Sequence, residues 1–237
     1  MVPNIKAVAF DLDGTLYPNY RLYVRLLPFL LKEWRFISAF GRARDQIRGE
    51  QEQPGGAARA DFYDYQARLT AERLNAPPEQ TREKIEKSIY RAWEPYFTEI
   101  KMFPHVLELL EKLKEAKLKL GLLSDFPPAA KLENLGIAAC FDAVLCSESI
   151  GALKPALPPF LELAKALGCA PEQVLYVGNS RRYDIEGGRR AGMKTALLKT
   201  GLPGTGPRKS PSGGKKSLSA ADLTFSNYRQ LADFVLQ

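Results

Sequence analysis

Six short runs rich in apolar residues predict six β-strands in this chain. The first run lacks the alternation of polar and apolar positions that marks a strand with one solvent-facing side, and is therefore predicted to be buried. The runs are Val8 to Phe10, Leu118 to Leu123, Ala143 to Cys146, Val174 to Val177, Lys194 to Leu198 and Ala221 to Phe225. Because helical patterns separate the runs after residue 100, the sequence predicts right-handed crossovers and a parallel sheet in an α/β fold.

The helical patterns between these runs have clear beginnings and ends. Pro104 begins the first of them, and an apolar stripe follows it at helical spacing. Gly136 and Gly168 follow two others, where glycine readily ends a helix. The remaining helices are predicted at Ala129 to Leu135, Pro155 to Leu167, Asp184 to Ala191 and Tyr228 to Leu236.

Residues 18–100 have a different pattern, with helical spacing and no predicted strand. The helices are predicted at Tyr20 to about Glu50, Ala58 to Leu74 and Pro78 to Trp93, with a break at Gln51 to Ala57. We therefore expect a small all-helical domain at 18–100. It would be inserted into a core formed by residues 1–17 and 101–237.

Residues 202–219 are rich in Pro, Gly, Ser and Lys and poor in apolar side chains. This composition predicts a mobile loop inside the core. Its basic side chains would suit a nucleic-acid contact, but no aromatic residues are interleaved with them for base stacking. We therefore expect a flexible loop and no nucleic-acid site.

Length and composition allow one sizeable core or two unequal domains. The chain has 237 residues, of which 45% are apolar. No basic segment followed by an apolar run begins the chain, and the stretch Leu22 to Leu31 is too short to span a membrane. Cys140, Cys146 and Cys169 have no paired spacing and predict reduced thiols. We expect a cytoplasmic protein with no membrane partner.

The formal net charge of +7 leaves nucleic acid, acidic lipid and a phosphorylated substrate open as partners. Part of the excess lies at Arg42, Arg44 and Arg48, and we expect these arginines on a solvated surface. His105 is the single histidine of the chain. The sequence therefore argues against a histidine base or a metal site built from several histidines.

Asp11 and Asp13 follow the first predicted strand and are the first candidate functional residues. Ligands of an open α/β sheet bind beyond the carboxyl ends of the strands, so both carboxylates are expected at the mouth of a crevice. Two carboxylates this close repel each other unless a cation or a shared proton separates them. Oxygen ligands without Cys or His nearby suit Mg²⁺. An Asp-Gly turn that closes a strand gives the same local sequence, so the pair alone leaves both interpretations open.

Polar residues also follow three of the later predicted strands. Ser124 and Asp125 follow the second strand, and Lys154 comes after the third. Asn179 and Asp184 follow the fourth. Each has a simple structural explanation, such as a helix cap or a first-turn charge. Their shared position after parallel strands predicts that they converge with the first Asp pair at one edge of the sheet.

Taken together, these segments resemble the haloacid dehalogenase-like (HAD) hydrolases. Asp11 to Thr15 is similar to the first motif of that family, Ser124 to the second, and Lys154 with Pro155 to the third. Gly178 to Asp184 is similar to the fourth.

The resemblance covers residues 1–17, about 100–200, and the final strand and helix. Residues 18–100 lie where these enzymes carry an inserted helical cap. The resemblance therefore implies a Rossmann-like parallel sheet with helices on both faces, and a small all-helical cap domain.

The same resemblance implies catalytic and substrate-binding roles. Asp11 would attack phosphorus as the nucleophile and form an aspartyl-phosphate. Asp13 would protonate the leaving oxygen and then act as base for water. Ser124 and Lys154 would hold phosphoryl oxygens and stabilise the transition state, and Asp125 would contribute to substrate binding. Lysine, as a compact point charge, suits the binding of a phosphoryl oxygen.

The resemblance also implies a Mg²⁺ site. Asp11, the Asp13 backbone carbonyl, Asn179 and Asp184 would hold the metal, which offsets repulsion between the nucleophile and an anionic phosphate. The family usually has an acid where this chain has Asn179. An amide oxygen still coordinates Mg²⁺ but brings no charge, so we expect weaker metal binding with catalysis retained.

Asp13 distinguishes between the reactions of the family. Dehalogenases lack an acid at this position, because halide leaves without protonation. An aspartate here favours a phosphatase acting on a small phosphorylated metabolite. A phosphomutase of the same superfamily and a catalytically impaired protein that binds phosphate ligands remain the alternatives, the latter because of Asn179.

Overall fold

A parallel β-sheet forms the centre of the molecule. The computed structural model describes residues 4–53, 55–199 and 220–237. Within these residues the sheet has six strands in the order β3-β2-β1-β4-β5-β6, and every neighbouring pair is parallel. The strands are β1 (Ala7–Phe10), β2 (Lys119–Ser124), β3 (Ala143–Cys146), β4 (Val174–Gly178), β5 (Lys194–Leu198) and β6 (Leu223–Phe225). The predicted parallel α/β fold is confirmed.

Strand β1 lies where the strand order reverses direction. All four of its residues are buried, as an unbroken apolar run requires. Phe10, its last residue, pairs with Leu122 of β2 on one side and with Val177 of β4 on the other. Connections that leave such a position diverge to opposite faces of the sheet, so a crevice opens beyond β1. The residues that follow Phe10 therefore lie at the crevice.

Four of the five described α-helices between β1 and β2 lie within residues 18–100. They are α1 (Tyr20–Lys32), α2 (Trp34–Gln51), α3 (Phe62–Leu74) and α4 (Pro78–Ile85), followed by a π-helical segment at Glu86–Arg91 and a 3₁₀ segment at Glu94–Glu99. The cluster of Phe36, Phe40, Ala67, Ile85 and Ile89 is buried within this helical segment. The segment therefore has apolar packing of its own.

The helical segment also packs against the sheet and its loops. Leu22 and Leu26 of α1 belong to the apolar core that contains β1. Leu153, from the loop after β3, packs with Ala43 of α2 and Phe62 of α3. Helices from one part of the sequence therefore touch the loops of the other.

The remaining helices cover both faces of the sheet, as expected. They are α5 (Val106–Glu115), α6 (Ala129–Leu135), α7 (Ser147–Ile150), α8 (Leu157–Ala166), α9 (Glu186–Arg190) and α10 (Tyr228–Leu236). Val8 and Phe10 of β1 pack in the cluster that includes α5 and α10. Ala7 and Ala9 pack in the cluster that includes α8. Successive side chains of β1 point to opposite faces of the sheet and so pack in two separate apolar layers.

Several element boundaries differ from the sequence predictions. The long helix predicted from Tyr20 breaks at Glu33, whose ψ of 20° leaves the helical region. The helix predicted from Asp184 begins at Glu186, because Asp184 lies in a π-helical turn at Arg181–Ile185. At the start of this turn the Ser180 hydroxyl oxygen accepts a hydrogen bond from the Tyr183 N–H. Other elements begin later than predicted, at Phe62, Val106, Leu157 and Leu223. Helix α4 ends at Ile85, before the predicted Trp93.

The predicted mobile loop at 202–219 lies outside the described residues. Across the ranges that the structure covers, no helix combines the length and the apolar character needed to cross a bilayer. Cys140, Cys146 and Cys169 are free thiols, as predicted.

Candidate active site

A lysine bound between two carboxylates lies at the carboxyl edge of the sheet. The Lys154 Nζ lies 2.7 Å from the Asp11 Oδ1 and 2.8 Å from the Asp184 Oδ1. The exposed fractions are 3% for Lys154, 6% for Asp11 and 1% for Asp184. Three charges that the sequence placed after three different strands therefore meet in a buried site.

Burial and the neighbouring charges shift the pKa values of Asp11 and Lys154. Burial is the main reason that the pKa of Asp11 is raised to about 7, and the nearby Asp184 and Asp13 charges add to the rise against the Lys154 ammonium. Burial alone would lower the pKa of Lys154, but Asp11 and Asp184 hold it well above its usual value. The Lys154 ammonium is therefore a fixed positive charge beside the candidate nucleophile.

The Asp11 carboxylate is held at both oxygens. Lys154 binds its Oδ1, and the Thr15 hydroxyl donates a hydrogen bond of 2.7 Å to its Oδ2. Thr15 reaches back because the chain turns sharply at Gly14, where φ is +86°, a conformation that glycine adopts at little cost. The local sequence after β1 thus fixes the orientation of Asp11.

Asp184 is held by the backbone of its own loop. Its Oδ2 accepts hydrogen bonds from the N–H groups of Asn179 and Ser180, at 3.1 and 2.9 Å. Its Oδ1 faces Lys154. The π-helical turn after β4 therefore presents one oxygen of Asp184 to the centre of the site.

Asn179 brings its amide next to the backbone of the first motif. Its Nδ2 donates a hydrogen bond of 3.2 Å to the Asp13 carbonyl oxygen. Within the described ranges, no group of three or more His, Cys, Asp and Glu side chains is arranged to hold a metal ion. The predicted set has only two carboxylates, since its other two ligands are an amide and a carbonyl. Its donors are all oxygens, and that chemistry fits Mg²⁺.

Asp13 is bound by two side chains that the motif pattern does not reveal. The Lys131 Nζ lies 2.6 Å from the Asp13 Oδ1, and the Tyr17 hydroxyl donates to the same oxygen. Lys131 comes from α6 and is 118 residues away in sequence. The sequence had no signal for this pairing, because an isolated lysine on a helix is most often a surface charge.

Ser124 and Asp125 lie at the end of β2, as predicted, and the two side chains have different hydrogen-bond partners. Ser124 is fully buried, and its Oγ accepts a hydrogen bond of 3.2 Å from the Phe126 N–H. Asp125 uses both carboxylate oxygens within the protein: Oδ1 accepts from the Lys154 N–H and Oδ2 from the Arg48 Nη2. Burial alone would raise the pKa of Asp125, but Arg48, Lys154 and Arg44 hold it below its usual value. The roles of Ser124 and Asp125 toward a substrate remain predictions.

Of the three arginines expected on a solvated surface, Arg44 is buried and Arg48 is partly buried, so that prediction is wrong for both. Arg44 is 3% exposed and forms an ion pair with Glu148, which also accepts a hydrogen bond from the Tyr90 hydroxyl. The Arg48 side chain is 11% exposed and pairs with Asp125 at 2.8 Å. Their partners lie on the core, far away in sequence, so local composition could not distinguish them from exposed charges. Arg42 is exposed as expected.

The site opens into a cleft of about 3060 Å³ between the helical segment and the sheet. Asp11, Asp13 and Lys154 line its floor, and Arg42 and Tyr63 line it from α2 and α3. Both parts of the chain therefore line the cleft that contains Asp11.

Comparison with known proteins gives a family and a set of relatives. A family model described as haloacid dehalogenase-like hydrolase matches residues 5–192. The chain is 32% identical over 207 residues to a glyceraldehyde 3-phosphate phosphatase of Methanopyrus kandleri, covering 83% of this chain and 85% of that protein. It is 32% identical over 219 residues to a phosphoglycolate phosphatase of Salmonella typhi, covering 84% and 82%.

Solved structures share the fold over nearly the whole chain. A 2-haloacid dehalogenase from Pseudomonas syringae has a TM-score of 0.65 at 22% identity, with 98% of each chain covered. An HAD phosphatase from Thermococcus onnurineus has a TM-score of 0.60 at 21% identity, also with 98% of each chain covered. At these identities the likeness establishes the fold alone.

The buried Arg44–Glu148 pair generates a prediction about stability. Glu148→Ala leaves the Arg44 guanidinium without its closest counter-charge, and we expect unfolding free energy to fall by about 3–5 kcal/mol. The double variant Arg44→Met with Glu148→Leu removes both charges, and we expect it to recover most of that loss. Urea denaturation measures the unfolding free energy of the wild type, the single variant and the double variant. Glu162→Ala on the surface of α8 is the control. A loss below about 1 kcal/mol in Glu148→Ala contradicts the prediction.

Proposed function

Because the chain belongs to the haloacid dehalogenase-like hydrolases, we propose that it is a Mg²⁺-dependent phosphatase that uses an aspartyl-phosphate intermediate. It is a hydrolase of phosphate esters, as its phosphatase relatives are. The proposed substrate is a small phosphorylated metabolite, the class to which glyceraldehyde 3-phosphate and phosphoglycolate belong.

The observation that carries the proposal is a second carboxylate beside the Lys154-bound Asp11. Asp13 faces the same cleft as Asp11 and is held at one oxygen only, by Tyr17 and Lys131. Its other oxygen has no protein partner among the described contacts. Loss of an alkoxide from phosphorus needs a proton donor, whereas loss of halide from carbon does not. A free carboxyl oxygen at this position therefore supports phosphate ester hydrolysis.

Each proposed step uses a residue of this chain. Asp11 attacks phosphorus and forms the carboxyl–phosphorus bond while the ester P–O bond breaks. Asp13 gives its proton to the departing oxygen, then takes one from the water that attacks phosphorus. That attack breaks the bond to Asp11 and releases phosphate. Lys154 holds a phosphoryl oxygen and balances the negative charge that develops, as Ser124 also does.

The residues of this chain suit a bound Mg²⁺. Asp11, Asp184, the Asp13 carbonyl and the Asn179 amide oxygen would hold it, and the metal would neutralise charge on the transferring phosphoryl group. Asp184 is fixed for this task by two backbone N–H groups. Asn179 leaves the set one charge short of three side-chain carboxylates.

We propose in addition that residues 18–100 act as a cap over the core of residues 1–17 and 101–237. Cleft walls from both parts support this division, as does the separate apolar cluster within the helical segment. A cap that closes over the crevice excludes water other than the attacking molecule and supplies substrate contacts.

The nucleophile is tested with a generic aryl phosphate in the presence and absence of Mg²⁺. Asp11→Asn keeps the shape of the side chain but removes its nucleophilic oxygen charge, so we expect turnover to fall by about 10³-fold or more. Asp233→Asn on α10 is the surface control. Metal-dependent turnover that persists in Asp11→Asn contradicts the proposal, and binding of phosphorylated metabolites without turnover in the wild type indicates a binding protein.

Asn179 is tested by restoring the carboxylate. Asn179→Asp adds a charge to the metal ligands, so we expect half-maximal activity at a Mg²⁺ concentration lowered about tenfold. Without metal the new carboxylate of Asn179→Asp would face the Asp13 carbonyl oxygen, which repels it. In chelator the melting temperature of the variant should therefore lie below that of the wild type. Addition of Mg²⁺ should raise the melting temperature of the variant more than that of the wild type. Asn134→Asp, an exposed change of equal charge, should leave the Mg²⁺ requirement and the rise in melting temperature on Mg²⁺ addition as in the wild type. An unchanged Mg²⁺ requirement in Asn179→Asp refutes this role.

The cap is tested by tying it to the core. Tyr63 of α3 and Ser149 of α7 approach each other, with 3.3 Å between their hydroxyl oxygens. A short thiol-reactive crosslinker between Tyr63→Cys and Ser149→Cys, in a chain without its natural cysteines, should slow turnover about tenfold or more if opening admits substrate. The same variant without crosslinker is the control. Equal turnover before and after crosslinking contradicts a moving cap.

A further inference from the structure

Arg48 of α2 contacts the backbone of the loop that carries Lys154. The Arg48 Nε donates a hydrogen bond of 3.0 Å to the Lys154 carbonyl oxygen. The Arg48 Nη2 donates one of 2.8 Å to the Asp125 Oδ2. The two bonds use the planar fork of a guanidinium, which lysine lacks.

Asp125 completes a closed ring of hydrogen bonds around Lys154. The Lys154 N–H donates to the Asp125 Oδ1 at 3.1 Å. Both backbone polar groups of Lys154 are therefore bound, the N–H by Asp125 and the carbonyl by Arg48, and the two binding side chains are ion-paired with each other. Charge-assisted bonds of this kind are stronger than neutral ones.

The same guanidinium also reaches the loop after β4. The centre of the Arg48 guanidinium lies 4.6 Å from the centroid of the Tyr183 ring. Tyr183 comes one residue before Asp184 in the sequence. Arg48 thus touches the loops after β2, β3 and β4 with one side chain. These are the loops that supply Asp125, Lys154 and Asp184.

Neighbouring residues anchor α2 to the same loop. The Gln51 Nε2 donates to the Gly151 carbonyl at 2.9 Å, and its Oε1 accepts from the Leu153 N–H at 3.0 Å. Arg44 pairs with Glu148, at the start of the loop. The last half of α2 is therefore fixed along residues 148–154.

We propose that Arg48 is a positioning residue for Lys154. By fixing the Lys154 backbone from a helix outside the sheet, it sets where the Nζ lies relative to Asp11. The helical segment thereby positions part of the catalytic centre as well as covering it. The kinetic part of this proposal rests on the proposed function, whereas the structural part does not.

All three nitrogen atoms of the Arg48 guanidinium already have partners within the protein. Its Nε and Nη2 are used by Lys154 and Asp125, and its Nη1 lies 3.3 Å from the exposed Asp45 carboxylate. Direct substrate binding by Arg48 would raise KM when the side chain is removed. Positioning of Lys154 lowers kcat instead, because the affected charge acts in the transition state.

The test compares Arg48→Met with the wild type by two independent measurements. Hydrogen exchange followed by NMR reports protection of the Lys154 amide, and we expect that protection to fall tenfold or more while amides of β1 and β4 are unchanged. Aryl phosphate kinetics should show kcat lowered about 10- to 100-fold, with KM changed less than about threefold.

Two further variants make the comparison specific. Asp45→Asn removes only the exposed partner of Arg48 and should leave exchange and kinetics as in the wild type. Arg48→Lys keeps the charge but cannot form both fork bonds, so its Lys154 amide should also lose protection. Arg48→Lys decides the question if Arg48→Met does not fold.

Each alternative outcome overturns a defined claim. Unchanged protection of the Lys154 amide overturns the proposal whatever the activity. Lost protection with unchanged kcat, or a rise in KM alone, also overturns it. Absence of turnover in the wild type overturns the proposed function, while the exchange measurement still decides whether Arg48 holds Lys154.

Discussion

The ammonium of Lys154 between the Asp11 and Asp184 carboxylates is the interaction on which the site depends. All three groups are nearly inaccessible to water, so none of them can be left without its partner except at a large cost in stability. Two buried carboxylates at this separation would repel each other strongly without a cation between them. The sheet topology meets this requirement because β1 and β4 are neighbours and the loop after β3 reaches the same edge. The same requirement explains why so many hydrogen bonds fix the loops around the three charges.

A second layer of charges holds the first in place, and much of it comes from the helical segment. Arg44 and Arg48 of α2 pair with Glu148 and Asp125 of the core. The first pair is buried and the second is partly buried, and both link parts of the chain that are far apart in sequence. The position of Lys154 therefore depends on side chains some hundred residues earlier. A helical insertion that only covered the crevice would not need such contacts.

The parts of this molecule that the sequence predicts are those that follow from local pattern. Short runs rich in apolar residues identify the strands, and β3 and β5 begin and end at the predicted residues. The positions of Asp11, Lys154 and Asp184 follow from the rule that parallel strands end at one edge. Their actual convergence bears out that rule.

What the sequence does not predict depends on tertiary contacts. Lys131 binds Asp13 across 118 residues, and nothing near Lys131 distinguishes it from other helical lysines. Arg44 and Arg48 sit among charged neighbours and have the local composition of a solvated helix face, yet their counter-charges lie on the core. The break at Glu33 falls within a continuous helical pattern. In each case the deciding interaction joins distant segments, so no window of sequence contains it.

In the proposed reaction, Asp11 forms a covalent bond to phosphorus during turnover. Rapid quenching of the reacting enzyme, borohydride reduction of any acyl phosphate and mass spectrometry of the peptides detect that bond. We expect a reduced residue at Asp11 that appears only when phosphorylated substrate and Mg²⁺ are both present. An unmodified Asp11 under conditions where a known acyl phosphate is trapped, or a modification at Asp13 or Asp184 instead, would contradict it.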